Sequence, residues 1–322
     1  MSKFEEPRSA IDRVVGGEKR YQAALEKLNA KIFAEQDLPK LRDLERPPLP
    51  EELKIITVAN RATDRILDQY GVGDFDIPFN NFHPVPEEKW PEYVARTGTS
   101  ENAFGTYRLD QQAAAFRVSD SKLAMASEIV HEMVHFKSFQ SVTAAVDESG
   151  NRVLVKERRV GLKTALKDGK NAFKLLNEAV TVELEQRAMK EVRQDPMFRN
   201  EIEELESIFK EHPEWRRDSI SIRRMSEEES ERTGYEYSRR IVAYPRPRAV
   251  MDKIVGALYE YNQHDFKSRE EVFDLFARAA LTGRMLVLGR VIEKTFGPGT
   301  FRELGECQTA EDLEEFAKSL KI

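Results

Sequence analysis

The segment from Ser119 to Gln140 constrains this chain more than any other, because it reads as a helix with almost no polar face to spare. Leu123, Ala126, Val130, Val134 and Ser138 fall on one stripe, with Met125, Ile129, Met133 and Phe136 beside it. A helix patterned this way belongs inside a core. Ser119, Asp120 and Ser121 offer three successive N-cap residues before the apolar run. Within the helix stands His131-Glu132-Met133-Val134-His135. Residues four apart lie one turn along the same face, so the two imidazoles can turn two ring nitrogens towards one tetrahedral ion.

The H-E-x-x-H spacing suits zinc chemistry. A catalytic zinc keeps three protein ligands and one water, whose pKa it lowers to about 7. A carboxylate beside that water can take its proton during attack on a peptide carbonyl and later pass it to the leaving amine. His131 and His135 therefore read as ligands and Glu132 as general base. The plainer alternative is an amphipathic helix whose histidines are hydrogen-bonded in a core.

The longer metzincin motif requires glycine at position 138 and histidine at 141, and the chain has Ser138 and Ser141, so that subclass is excluded. Downstream, Asn177-Glu178-Ala179-Val180-Thr181 opens a second helical pattern, with Phe173, Leu176, Val180 and Leu184 on one side. This segment resembles the Asn-Glu-Ala-x-Thr stretch of gluzincins, and residues 100 to 190 as a whole look like a zinc metallopeptidase of that type, similar to thermolysin-like enzymes and minigluzincins. The resemblance implies Zn2+ as cofactor, Glu178 as the third ligand, and Asn177 and Thr181 in support. It departs at one place: relatives often carry an acidic residue four positions after the glutamate to orient a histidine, and here that residue is Val182, with Glu183 and Glu185 nearby. The resemblance also implies an oxyanion donor beyond the glutamate helix, a tyrosine or histidine. Tyr244, just before Pro245, is the first choice, with Tyr237, Tyr235 and His264 behind it.

The expected fold class is α+β: a small zincin-like sheet with the two motif helices, flanked by N- and C-terminal helices. The expected divisions are an N-terminal helical segment over 1–46, a catalytic core over 47–197 and a C-terminal helical subdomain over 198–322. With 322 residues, 40% of them hydrophobic, the chain is long and apolar enough for a buried core. A net charge of -6 with interspersed signs offers no basic field for nucleic acid and no cationic face for membranes. Cys307 is the single cysteine and cannot form an internal disulfide. Residues 1–20 lack an apolar leader segment, so cytoplasmic residence is the expectation.

In chain order, Tyr21, Leu25, Leu28, Ile32 and Phe33 predict a helix within residues 11–44, ending before Pro47-Pro48-Leu49-Pro50. A second helix is predicted over 51–70 and a strand over 74–82, with His83 beside it as a weak candidate for a metal or substrate contact. Gly98 and Gly105 read as turn residues, followed by strands over 105–109 and 113–118. The resemblance places the second strand at the cleft, where an extended peptide could pair with it; an inner strand is the equal alternative. Residues 141–146 and 153–160 read as a hairpin whose second arm is basic, with Lys156, Arg158 and Arg159 either solvated or recognising a carboxylate. Residues 198–232 read as a solvated helical arm bearing His212, and the rest as helices over 250–261, 269–281, 284–296 and 310–320, the last capped by Thr309. Three functions are consistent with this pattern: a zinc peptidase acting on a peptide or protein substrate, a non-catalytic zinc- or peptide-binding regulator on the same scaffold, or a structural helical protein with a chance motif.

Overall fold

The computed structural model describes residues 13–15, 41, 43–73, 75–100, 102–109, 112–146 and 153–320. The fold is α+β, with eleven helices and ten strands among the described residues. Strand β1 (Arg13–Val15) is followed by helix α1 (Pro50–Asp68), strand β2 (Phe82–Val85), helix α2 (Trp90–Thr97) and strands β3 (Gly105–Arg108) and β4 (Ala113–Arg117). The motif helix α3 (Lys122–Lys137) leads into strands β5 (Gln140–Val146), β6 (Val153–Val160), β7 (Lys163–Ala165) and β8 (Asn171–Ala172). The glutamate helix α4 (Lys174–Val192), helix α5 (Arg199–Glu211), strand β9 (Ser219–Arg224), helix α6 (Glu227–Thr233) and strand β10 (Tyr237–Ile241) come next. Helices α7 (Pro245–Tyr261), α8 (Arg269–Thr282), α9 (Met285–Phe296), α10 (Thr300–Glu306) and α11 (Ala310–Ser319) complete the chain. No helix of the described residues is long and apolar enough to cross a membrane.

Helix α3 lies where its sequence requires, with thirteen of its sixteen residues buried. Met125, Ile129, Met133 and Phe136 share a core with Ile55, Ile56 and Ala59 of α1, Phe116 of β4 and Met189 of α4. Val134, on another face, joins a second core made by Leu176, Val180 and Leu184 of α4 and the helices from α7 onward. Ser121, last of the three candidates, is the N-cap and accepts the Ala124 N–H. The Glu201 carboxylate of α5 accepts the next two orphan donors, Lys122 N at 2.8 Å and Leu123 N at 3.1 Å. At the other end the buried Lys137 ammonium donates to Thr63 Oγ1 and Asp64 Oδ1 of α1 at 2.8 and 2.7 Å, a placement that also suits the negative pole of α3.

Three sheets surround these helices. One has the order β2-β4-β3, with β2 parallel and β3 antiparallel to β4. A second, β1-β5-β6-β7-β8, is antiparallel except for β1. The third is the antiparallel pair β9 and β10.

Several expectations need correction. Arg13–Val15 is a strand paired with Ser141–Thr143, not part of a helix; the predicted helical positions Tyr21 to Phe33 lie outside the described residues. Of the stretch predicted as a strand over 74–82, residues 75–78 join no sheet and Phe79–Asn81 form a 3-10 turn before β2 begins at Phe82; the Asn60 amide clamps Ile77 through both backbone groups, at 3.2 and 3.0 Å. That clamp takes the hydrogen bonds a ladder would make. Residues 90–97 form a helix, with Pro91 in its first turn and Gly98 at φ +69 ending it. Strand β4 is central, flanked by β2 and β3, so it cannot pair with a substrate; the edges of this sheet are β2 and β3. The supposed solvated arm contains α5, β9 and α6, and it feeds β10. The hairpin of β5 and β6 is as predicted, while its turn and the side chain of Lys156 lie outside the described residues.

The join between the second sheet and α4 depends on Gly161. Its φ is +58, and a Cβ there would lie 2.3 Å from Asn177 Oδ1, which accepts the Leu162 N–H at 2.7 Å. Gly161→Ala is expected to destabilise the fold by more than about 1 kcal/mol, since alanine is strained at positive φ, and a urea unfolding curve measures it. An unchanged midpoint would contradict the close approach.

Candidate metal centre

Helices α3 and α4 meet so that three side chains, two from α3 and one from α4, converge. His131 and His135 Nε2 atoms are 3.2 Å apart, and Glu178 Oε2 lies 3.5 Å from the first and 3.3 Å from the second. A tetrahedral ion with ligand distances of about 2.0–2.1 Å holds its ligands about 3.3–3.4 Å apart, so the triangle has the size such an ion demands. Among the described residues this is the one group of three histidine, cysteine or carboxylate donors close enough to share a metal. Two imidazoles and one carboxylate suit zinc.

The tautomer is set from behind. His131 Nδ1 lies 3.0 Å from Glu185 Oε2, and the other oxygen of Glu185 accepts the Ser127 hydroxyl. With Nδ1–H held by the carboxylate, the Nε2 lone pair faces the other two donors. Glu185 stands seven residues, two helical turns, after Glu178, and so takes the orienting role that Val182 cannot. Burial works against a charge on His131, but contacts with Glu178 and Glu185 outweigh it and raise its pKa well above the usual histidine value. Burial likewise opposes ionisation of Glu178, yet the two imidazoles hold its pKa well below the ordinary carboxylate range. The cluster is thus a half-buried cradle of three donors of the kind that holds a metal ion.

Glu132 is held beside the cradle. Burial raises its pKa, opposed by the neighbouring imidazoles, and its carboxylate accepts the Tyr107 backbone N–H of β3. Strand β3 passes directly over it: a Cβ on Gly105 would meet Glu132 Oε1 at 2.8 Å and Cγ at 2.9 Å. Gly105, read both as a turn residue and as the start of the strand over 105–109, is the first residue of β3, where it lets backbone approach the acid.

A cleft of about 630 Å³ opens over these groups, between β3 on one side and β10 with Tyr244 on the other. Tyr244 is the N-cap residue of α7 at φ +52, a strained conformation for a bulky residue and one disfavoured before proline. Its ring lines the same cleft as the cradle, with its hydroxyl close enough to feel the charge of Glu178. Burial, then the charges of Glu178 and Glu132, raise its pKa, so it is a protonated donor at neutral pH. The other tyrosines are elsewhere. Tyr237 packs on His212 and Trp215, and Tyr235 is 71% exposed.

The remaining histidines are outside the centre. His83 contacts Glu45 at 2.8 Å, His212 stacks on Trp215 at 3.9 Å, and His264 is exposed beside Asp265. Arg159 does not recognise a cleft carboxylate: it donates to the carbonyls of Gly161, Gly283 and Ala279, and burial lowers its pKa to about 10. Arg158 donates to Ala165 O. Cys307 is buried, and its thiol is pushed up to about 11 by burial.

The cleft residues that sequence reasoning missed are Phe104, Glu128 and Arg240. Glu128 precedes His131 by three positions and so shares its helix face. Alternation over Ser219–Arg224 and Tyr237–Ile241 is the signal that marks the hairpin carrying Arg240.

No family model, curated protein or solved structure matches this chain. Replacing Glu185 by alanine, with all three donors retained, is expected to weaken zinc binding 10- to 100-fold, the usual effect of losing such an orienting partner. A competition titration against a chromophoric chelator reads this directly, and unchanged affinity would remove Glu185 from the site.

Proposed function

We propose that this chain is a zinc-dependent metallopeptidase of gluzincin type that hydrolyses peptide bonds, with cytoplasmic residence as part of the same reading. The observation that carries it is the triangle of His131, His135 and Glu178 with the buried Glu132 alongside it under an edge strand. A bound zinc supplies Lewis acidity, lowering the pKa of a water to about 7 and polarising a carbonyl.

The chain's own residues have separable tasks. Glu132 takes the proton of the attacking water and returns it to the leaving amine; burial raises its carboxyl pKa, which strengthens it as a base. Tyr244 donates a hydrogen bond to the carbonyl oxygen as negative charge develops there, and its strained backbone fixes the ring in the cleft before substrate arrives. Strand β3, at an edge of its sheet and with the Tyr107 N–H taken by Glu132, is the strand beside which an extended peptide adds without sequence preference.

The test is hydrolysis of an unstructured peptide mixture by the zinc-loaded chain, read by mass spectrometry. Glu132→Gln is expected to abolish turnover while one zinc per chain is retained. Turnover that survives the substitution defeats the mechanism; absence of turnover in the zinc-loaded parent favours the non-catalytic regulator. Tyr244→Phe is expected to lower kcat by about 10²–10³, as loss of an oxyanion donor does. Gly105→Ala should displace the Glu132 carboxylate and lower kcat while zinc content stays unchanged.

A further inference from the structure

We infer that the cleft holds a carboxylate subsite next to the metal centre, built by Arg240 and Phe104 with Arg117 behind them, so that peptides with an acidic group beside the scissile bond are preferred. This rests on the peptidase reading and deepens it.

Arg240 of β10 lines the cleft with only 17% of its side chain exposed, and it forms an ion pair with the buried Glu128 of α3. Glu128 lies about one helical turn before His131, its Cβ about 5–6 Å from that ligand's Cβ, and both residues line the same cleft as Arg240. The Arg240 guanidinium stands 3.9 Å from the centre of the Phe104 ring. The Arg117 guanidinium lies 4.1 Å from the centre of the same ring. One phenyl ring thus carries two cations.

The charges there do not balance. Glu128 is the one buried carboxylate on Arg240, while the acid nearest to Arg117 is Glu87, 3.7 Å away and 64% exposed. Two half-buried guanidinium groups therefore face one buried acid. With only 17% of its side chain exposed, Arg240 is also short of solvation. A second carboxylate arriving from the cleft relieves both conditions, and the planar guanidinium fork suits it. A lysine or arginine side chain in the same place meets uncompensated positive charge. The Lys163–Glu157 pair elsewhere on the cleft wall, at 2.9 Å, is balanced and carries no such preference.

The carboxylate can belong to an Asp or Glu side chain or to a peptide C-terminus, and the experiment separates the two. The best-cleaved peptide from the mixture is resynthesised in matched pairs, Glu against Gln at the positions flanking the scissile bond and free acid against amide at the C-terminus. The zinc-loaded parent is expected to show a kcat/KM about tenfold or more higher for one acidic member, the scale of one charge-assisted contact. The affected pair identifies the source. Arg240→Gln is expected to erase that ratio; should it misfold with Glu128 unpaired, the double variant Glu128→Gln/Arg240→Gln leaves two neutral amides and makes the same measurement.

Equal handling of both members by the parent, or preference for a basic residue, overturns the proposal. A second readout, anisotropy of the labelled pairs on zinc-loaded Glu132→Gln, does not depend on hydrolysis. Discrimination in binding with no turnover in the parent keeps the subsite and sinks the peptidase reading. Turnover without discrimination does the reverse, and failure of every pair to bind overturns the subsite as well.

Discussion

Four carboxylates from two crossing helices are withdrawn from water in one place, and the rest of the structure is arranged around keeping them there. Glu128, Glu132 and Glu185 are all less than 10% exposed, and Glu178 is scarcely more so. Removing an anion from water costs several kcal/mol unless charge and hydrogen bonds replace the lost hydration. Each acid has a specific answer: Arg240 for Glu128, the Tyr107 N–H for Glu132, Ser127 and His131 for Glu185, and the two imidazoles for Glu178. The three donors of the triangle are of the kind that holds a metal ion.

That arrangement needs a frame, and much of it comes from the C-terminal part of the chain. The C-terminal helices hold the start of the glutamate helix. Phe173 precedes it at φ +58, its N–H bonded to Gly305 O at 2.9 Å and its ring 4.7 Å from that of Phe301. Gly305 has no room for a Cβ, which would lie 2.7 Å from the Phe173 ring. Arg159 adds a second tie, from the end of β6 to the end of α8. An arginine that looked available for recognition is consumed by three carbonyls, and a different one, on a hairpin, occupies the cleft.

The cleft walls follow the same logic. Strand β3 can lie against Glu132 only because Gly105 has no side chain, and Tyr244 can reach Glu178 only from a left-handed backbone ahead of Pro245. Both are local sacrifices of ordinary geometry at a place where groups must approach within contact distance.

Much of this was legible in the amino acids, and the division has a physical cause. The burial of α3, its capping region, the shared face of His131 and His135 and the α+β class follow from periodicity and spacing along one chain, where neighbours three or four apart must meet. Glu178 was suggested by the segment around it, and its helix by apolar period. Which strand became the edge, which of Glu183 and Glu185 reached His131, what Arg159 and Arg240 touch and why Gly105 is glycine were decided by the tertiary structure. Those are relations between elements tens of residues apart, set by how sheets order and helices cross, and no local pattern encodes the distance between them.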